Sequence, residues 1–194
     1  MRIRRNQELE TTLLGEWVAS FQRPLPASVA PAEPVRDLND HIHLSDLLAP
    51  RQSFFKRIMP TAPTSKDVQL WMYGRGFEAE VARRSTLHAG VSQLTDGISW
   101  RPDFAEWPTI FTGPIELKWR RANLAREGEE SNVYDHYLLQ LSGYCALGNH
   151  ADALLLVNTP RQGQTGANPL QQTEPALRVY NVTFTNDELS VRKK

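Results

Sequence analysis

The sequence predicts an α/β protein with a mixed central sheet of four to five strands flanked by helices. Apolar periodicity along the chain gives the order helix, three strands, helix, strand, which is typical of a layered α/β unit. The run Leu154–Val157 is apolar at every position, as expected of a strand buried on both faces of a sheet. With 194 residues and 40% hydrophobic content, the chain can bury one good core, so one main domain is expected.

The N-terminal part is predicted to be an amphipathic helix followed by a tether. Asn6 to Phe21 carries its apolar residues along one side, so residues 1–22 are assigned to this helix. Residues 23–40 include four prolines, which interrupt regular structure and indicate a tether. The helix docks either on its own domain, the commoner fate of an apolar stripe, or on a partner. Residues 41–194 form the predicted main domain.

Periodicity and turn signals place the elements of the main domain. Helices are predicted over Trp71 to Arg84 and over Val133 to Leu147, the second ending at Gly148 as its C-cap. Residues 161–175 are rich in Gln, Gly, Thr and Pro and are predicted to form a mobile loop. The predicted strands lie near Leu87–Leu94, Ile98–Phe104, Ile110–Trp119, Asp152–Asn158 and Ala176–Phe184.

Charged residues interrupt the apolar third strand at a spacing that suggests chemistry. Glu116 and Lys118 are two residues apart and share one face of a strand, and Lys118 is the only lysine between Lys66 and Lys193. A hairpin through Pro108 to Gly113 can bring Asp103 beside Glu116. Two carboxylates suit Mg²⁺ or Mn²⁺, which activate water and stabilise phosphate charge, and Lys118 would orient or activate that water. The alternative is an ordinary pair of solvated surface charges.

A second pattern lies on the helix that follows this strand. Gln140 and Tyr144 are four residues apart, so they lie on one face of the helix. Taken alone, Tyr144 is better explained as a core aromatic residue and Gln140 as a surface amide.

Taken in order, these motifs resemble the PD-(D/E)xK nuclease superfamily. Asp103, the Glu116-Leu117-Lys118 strand, the Gln140 to Tyr144 helix and the apolar strand after it are most similar to the RecB-like branch, which a Gln-x-x-x-Tyr helix marks. The resemblance covers roughly Leu44 to Val157 and implies a restriction-endonuclease-like core. It also implies that Leu117 supplies a backbone carbonyl to the metal, and that Gln140 and Tyr144 hold the nucleic-acid strand.

The N-terminal side of the main domain adds to this resemblance. The segment from His43 to Leu47 is similar to the first helix of the RecB-like nucleases of CRISPR adaptation. Gly76 to Glu80 resembles the Gly-x-x-x-His motif of that group, or the Gly-x-x-x-Glu motif of lambda-type exonucleases. The resemblance therefore implies Glu80 as an accessory metal ligand, with Glu78 as a close competitor.

The cysteine content departs from the CRISPR adaptation nucleases, which hold an iron–sulfur cluster on four cysteines. Ala49 stands where one of those cysteines is expected, and Cys145 is the sole cysteine of the chain. Neither an iron–sulfur cluster nor a cysteine-rich zinc site can therefore form within one chain. A single cysteine also excludes an intrachain disulfide.

Charge and hydropathy limit the partners and the compartment. With 22 basic and 22 acidic residues, the chain has no net attraction to nucleic acid, so phosphate binding requires local clusters. The candidates are Arg101, Arg120 and Arg121, together with Arg83–Arg84, which is equally well explained as a solvated face. No apolar stretch approaches the length of a membrane span and no signal-peptide core follows Met1, so a cytoplasmic location is predicted.

Two functions of different class follow from the sequence. The first is a Mg²⁺- or Mn²⁺-dependent deoxyribonuclease that acts on single strands or ends, with RNA as a further substrate to test. The second is a catalytically silent DNA-binding or assembly module that keeps the nuclease fold and uses residues 6–21 for a protein partner or for self-association. The complete set of Asp103, Glu116 and Lys118 favours the nuclease.

Overall fold

The computed structural model describes residues 1–21, 42–48, 50, 59, 76–119, 125–126, 128–159 and 176–192. The predicted tether at 23–40, the predicted loop at 161–175 and residues 71–75 of the predicted helix lie outside these ranges. The helices are α1 (Gln7–Phe21), α2 (Leu44–Leu48), α3 (residues 76–84), α4 (Glu130–Val133), α5 (Asp135–Gly148) and α6 (Asn186–Arg192). The strands are β1 (Arg2–Arg5), β2 (Ile42–His43), β3 (His88–Ala89), β4 (Gln93–Thr95), β5 (Ile98–Trp100), β6 (Phe104–Trp107), β7 (Phe111–Trp119), β8 (Asp152–Thr159) and β9 (Ala176–Thr183).

Within these residues, six strands form a central sheet in the order β1-β9-β8-β7-β6-β3. Strands β7 and β8 are parallel and every other neighbouring pair is antiparallel, so the sheet is mixed. The helices α4 and α5 connect β7 to β8, because parallel neighbours need a crossover. The predicted α/β class is confirmed: the order α3, β3, β6, β7, α5, β8 gives a mixed central sheet flanked by helices.

The central strand β8 separates two apolar cores. Leu155 and Val157 point to one core with α5, whereas Leu154 and Leu156 point to the other with α1 and α3. All four side chains are buried, as the unbroken apolar run predicts. Helices therefore cover both faces of the sheet.

Two predicted strands are each divided between two sheets, so their prediction as single strands was wrong. The segment Leu87–Leu94 contains β3 of the central sheet and part of β4, and Ile98–Phe104 contains β5 and the start of β6. Strands β2, β5 and β4 form a separate three-stranded sheet. The chain leaves that sheet at Pro102, which has no N–H for a strand ladder, and a turn at Gly97 with φ 77° separates β4 from β5.

Two smaller features also differ from the prediction. The left-handed residue that closes α5 is Asn149, with φ 58°, and not Gly148, which is the last helical residue. Asparagine adopts this conformation at lower cost than most residues. Strand β1 was not predicted because Arg2–Arg5 is short and has a single apolar residue, Ile3, among three arginines. It pairs with β9 and adds a strand to the four to five expected.

Helix α1 packs on its own domain. Leu13 is fully buried in the core that α1 shares with α3 and the central sheet. The carboxylate of Glu16 accepts hydrogen bonds from Thr86 N at 2.9 Å and from Trp107 Nε1 at 3.1 Å. In the part of the chain that the structure describes, no helix is long and apolar enough to cross a membrane.

Candidate functional site

Strand β7 presents different chemistry on its two faces. Ile115 and Leu117 point into the core beneath α1 and α3. Glu116 and Lys118 point to the opposite face, where the ammonium of Lys118 forms an ion pair with the carboxylate of Glu116. The strand thus fixes two charged groups on a buried face while its apolar residues anchor it from behind.

The hairpin of β6 and β7 brings Asp103 to the same place. Phe104 pairs with Ile115, and Asp103 Oδ2 accepts a hydrogen bond from Leu117 N at 2.7 Å. The backbone of Gly90 also approaches closely, because its N–H donates to Asp103 O at 3.0 Å. A Cβ at Gly90 would overlap the carbonyl oxygen of Pro102, so only glycine permits this approach.

Glu116 is buried with its hydrogen bonding incomplete. Its side chain is 1% exposed, Oε1 pairs with Lys118, and Oε2 has no hydrogen-bond partner among the described residues. Burial and the charge of Asp103 raise the pKa of Glu116 to about 8, although Lys118 opposes the shift. A buried, unsatisfied carboxylate oxygen is costly, and it marks a place where a cation can bind.

Asp103, Glu116 and Lys118 shift one another's pKa. Burial raises the pKa of Asp103, against the opposing charge of Lys118 and the hydrogen bond from Leu117 N. Burial alone would lower the pKa of Lys118, but Glu116 and Asp103 outweigh it, so the pKa is raised. Lys118 is therefore charged, and the two acids hold a proton more readily than free carboxyls do.

Helix α5 covers the site with the predicted pair Gln140 and Tyr144. Gln140 Nε2 donates a hydrogen bond to Tyr144 Oη at 2.6 Å. Burial raises the pKa of Tyr144 above its usual range, and the charges of Glu116 and Asp103 add to the shift, so its hydroxyl stays protonated near the carboxylates. The ring of Trp100 packs against Tyr144 with 6.0 Å between centroids.

Of the two glutamates on α3, Glu78 acts on the site more clearly than Glu80. The carboxylate of Glu80 pairs with Arg83 and Arg84, which lower its pKa. The negative charge of Glu78 adds to the shift that raises the pKa of Glu116. Glu78 Oε1 also lies 3.7 Å from Nη2 of Arg101.

The predicted phosphate-binding arginines have different surroundings. Arg101 follows β5 directly, and its positive charge lowers the pKa of Asp103 in opposition to burial. Arg83 and Arg84 both pair with Glu80, but the Arg83 side chain is 39% exposed whereas that of Arg84 is only 10% exposed, so the solvated-face interpretation fits Arg83 alone. Arg120 and Arg121 lie outside the described residues.

The two carboxylates suit a hard divalent cation that completes its shell with water and substrate oxygens. They do not suit a metal ion whose ligands all come from the protein. Within the described ranges, no group of three or more His, Cys, Asp or Glu side chains is arranged to hold a metal ion. Mg²⁺ commonly uses only one or two carboxylates and completes its shell with water and substrate oxygens. Asp103 and Glu116, with the unsatisfied Oε2 of Glu116, meet that requirement.

Sequence reasoning missed the role of Tyr137, which lies against the site from α5. Lys118 Nζ lies over its ring, 5.5 Å from the centroid. Tyr137 is three residues before Gln140 and seven before Tyr144, so helical spacing places all three on one face and could have identified it. The close approach at Gly90 had no comparable signal, because it depends on contacts distant in sequence.

Comparison with known proteins gives distant structural likenesses. No protein-family model matches the chain, and no curated protein sequence matches it. The protein SSO0001 has a TM-score of 0.44 at 13% identity over 97% of this chain and 83% of that one. A phage-related exonuclease from Haemophilus somnus 129PT has a TM-score of 0.46 at 12% identity over 74% of each chain. Likenesses this distant carry no argument about activity.

Proposed function

We propose that this protein is a Mg²⁺- or Mn²⁺-dependent nuclease of the RecB-like branch that hydrolyses phosphodiester bonds of DNA, at single strands or ends. The observation that carries the proposal is the buried Oε2 of Glu116, which lacks a hydrogen-bond partner in the described chain and belongs to the same charged group as Asp103 and Lys118. A fold that needed only stability would satisfy this oxygen or replace the residue.

The carboxylates and the lysine of the charged group have different tasks. Asp103 and Glu116 hold the metal ion, together with the backbone carbonyl of Leu117. The bound ion supplies a Lewis acid for the scissile phosphate and lowers the pKa of water. Lys118 places a positive charge beside the carboxylates, where it orients the attacking water and stabilises negative charge on the phosphate.

The accessory acid on α3 is either Glu80, which the resemblance implies, or Glu78. The contacts favour Glu78, because the carboxylate of Glu80 already pairs with Arg83 and Arg84. The nucleic-acid strand is held by Gln140 and Tyr144 and by arginines, of which Arg101 is nearest in sequence to Asp103. Arg120 and Arg121 remain further candidates for phosphate contacts.

The proposal does not include an iron–sulfur cluster. Cys145 is the sole cysteine of the chain, and burial raises its thiol pKa to about 12. A thiol in this environment resists the deprotonation that iron or zinc ligation requires. We expect the purified protein to be free of iron, and we expect a cytoplasmic location.

One observation favours the second candidate, a silent assembly module. Helix α1 exposes Leu14 and Val18 at 44% and 63% while its other side packs on the domain. These side chains could contact a partner or a second copy through residues 6–21. An active enzyme could also have this surface, so the surface alone does not distinguish the two functions. The cleavage assay does.

The deciding experiment is incubation of the purified protein with end-labelled single-stranded, duplex and circular DNA and with RNA, in Mg²⁺ and in Mn²⁺. Chelation should abolish cleavage. Asp103→Ala and Glu116→Ala should abolish it as well and should weaken Mn²⁺ binding in calorimetric titration. The matched control is Glu106→Ala on the neighbouring strand β6, whose exposed carboxylate pairs with His88 and should be dispensable. Unchanged Mn²⁺ affinity in both site variants would refute the site assignment.

A further inference from the structure

We propose that Tyr137 is a positioning residue that holds the ammonium of Lys118 over the acidic site through a cation–π contact. The inference rests on the proposed function, in which Lys118 acts beside the carboxylates. Lys118 Nζ lies 5.5 Å from the centroid of the Tyr137 ring. Ammonium groups within about 6 Å of an aromatic face are attracted to it, more strongly where water is excluded.

The Tyr137 ring is itself held by a buried aromatic group. It stacks on Tyr134 with 6.2 Å between centroids and 23° between ring planes, and Tyr134 packs against Tyr180 at 5.4 Å. Tyr134 and Tyr180 are fully buried. The hydroxyl of Tyr134 accepts a hydrogen bond from Ala125 N at 3.0 Å. The ring that Lys118 contacts is therefore anchored to the apolar core that lies beneath α5.

The neutral ring of Tyr137 offers Lys118 a contact that does not depend on the carboxylates. The side chain of Lys118 is 23% exposed and has a flexible four-carbon stem, so its ammonium needs a fixed contact to stay in place. Its ion-pair partner Glu116 is also a proposed metal ligand, so that carboxylate would have to serve two cations. The face of Tyr137 attracts the ammonium without competing for the metal. Lys118 can thus keep its position when Glu116 engages a metal ion.

Two independent measurements on the full chain test the proposal. In protein with ¹³C-labelled lysine, the Lys118 side-chain signals, identified by their loss in Lys118→Met, should show the upfield displacement that an aromatic face produces. Tyr137→Phe should keep this displacement, and Tyr137→Leu and Tyr137→Met should remove it. In cleavage assays, Tyr137→Phe should keep the wild-type kcat, whereas Tyr137→Leu and Tyr137→Met should lower it about tenfold with little change in KM.

Controls separate positioning from folding. Leu139→Ala, a partly exposed apolar residue on the same helix, should keep both the lysine displacement and the rate. Tyr137→Met keeps a large apolar side chain, so it tests the ring without opening a cavity. A wild-type Lys118 spectrum without ring displacement would overturn the proposal, as would full activity in Tyr137→Met. If the wild type cleaves nothing, the proposed function fails, while the spectrum still decides whether Tyr137 holds Lys118.

Discussion

Glu10 on α1 and Glu116 on β7 are both buried glutamates, but they have different hydrogen-bond partners. The difference distinguishes a glutamate that stabilises the fold from one that belongs to the candidate site. Glu10 Oε1 accepts hydrogen bonds from Arg5 Nε at 2.8 Å and Val179 N at 3.1 Å, and Oε2 accepts one from Arg5 Nη2 at 2.7 Å. Both oxygens of Glu116 are buried, but among the residues that the structure describes only Oε1 has a partner. Glu10 therefore links β1, α1 and β9. In Glu116, Oε2 is still able to bind a cation.

The two glutamates also differ in their cationic partners. The planar guanidinium of Arg5 donates two hydrogen bonds to the carboxylate of Glu10 at the edge of the sheet, where the Arg5 side chain is 39% exposed. Lys118 offers Glu116 a single ammonium that the Tyr137 ring also contacts. A bidentate arginine gives a fixed structural link, while an ammonium on a flexible stem leaves the carboxylate able to bind a second cation. The comparison predicts that changes at Glu10 alter stability and changes around Glu116 alter activity.

The largest expected effect follows from removing the ammonium beside Glu116. Lys118→Met should lower the cleavage rate by about 10²- to 10³-fold, the usual scale for removing one group that stabilises charge in the transition state. Mg²⁺ affinity should stay the same or increase, because the metal becomes the only cation available to Asp103 and Glu116. Single-turnover kinetics and calorimetry measure the two quantities. Equal rates for wild type and Lys118→Met on every nucleic acid, including a rate of zero, would favour the silent module.

The next largest effect is a difference in the free energy of unfolding between variants of the two glutamates. Glu10→Gln should lower the free energy of unfolding by about 1–3 kcal/mol, because the amide has no negative charge for Arg5 and keeps only one of the two acceptor oxygens. Glu116→Gln should leave the free energy of unfolding nearly unchanged at neutral pH, because a carboxyl with a pKa of about 8 is already mostly neutral there and the amide has nearly the same shape. Urea unfolding of both variants without metal measures the difference. Equal losses would show that Glu116 is structural in the same sense as Glu10.

A smaller effect is the pH dependence of stability. The folded protein holds a proton on Glu116 up to pH about 8, whereas the unfolded chain releases it near 4.5. The folded state thus binds more protons within this window, so the free energy of unfolding falls as pH rises through it, by at most about 1.4 kcal/mol per pH unit for one proton. The raised pKa of Asp103 acts in the same direction. The raised pKa of Lys118 affects stability only above pH 10.5.

Urea unfolding of the metal-free protein across this window measures the slope. Glu116→Gln should make the slope shallower, because only Asp103 then has a raised carboxyl pKa in this group. Added Mn²⁺ should stabilise the wild type more as pH rises, since the metal binds the deprotonated carboxylates. A wild-type profile that climbs with pH in the absence of metal would contradict the raised pKa of Glu116.

Local periodicity accounts for the parts of the fold and site that the sequence predicted. The alternation along β7 predicted which face carries Glu116 and Lys118, and the apolar run in β8 predicted burial on both sides. A hairpin sufficed to bring Asp103 near Glu116. All these features depend on residues close in sequence or on a two-residue repeat.

The missed features depend on contacts between distant segments. The small sheet exists because β2 pairs with β5, more than one helix away in the chain. The Glu10 network joins β1 and β9, and the basic sequence of β1 carries no strand signal by itself. The choice between Glu78 and Glu80, in contrast, has a local signal, because Arg83 and Arg84 lie three and four residues after Glu80 on the same helix and pair with it.

The smallest expected effect comes from the hairpin turn, which touches neither glutamate and so serves as a control for the comparison. Thr109 lies between β6 and β7 with φ 65°, where a β-branched side chain is strained, and Ile110 N donates to Trp107 O at 3.0 Å across the turn. Thr109→Asn should raise the free energy of unfolding by a few tenths to about 1 kcal/mol, because asparagine tolerates the left-handed conformation. Cleavage rate, Mn²⁺ affinity and the pH slope should match the wild type. A change in Mn²⁺ affinity would mean that the turn controls how Asp103 meets Glu116, and the site would then depend on the hairpin as well as on its charges.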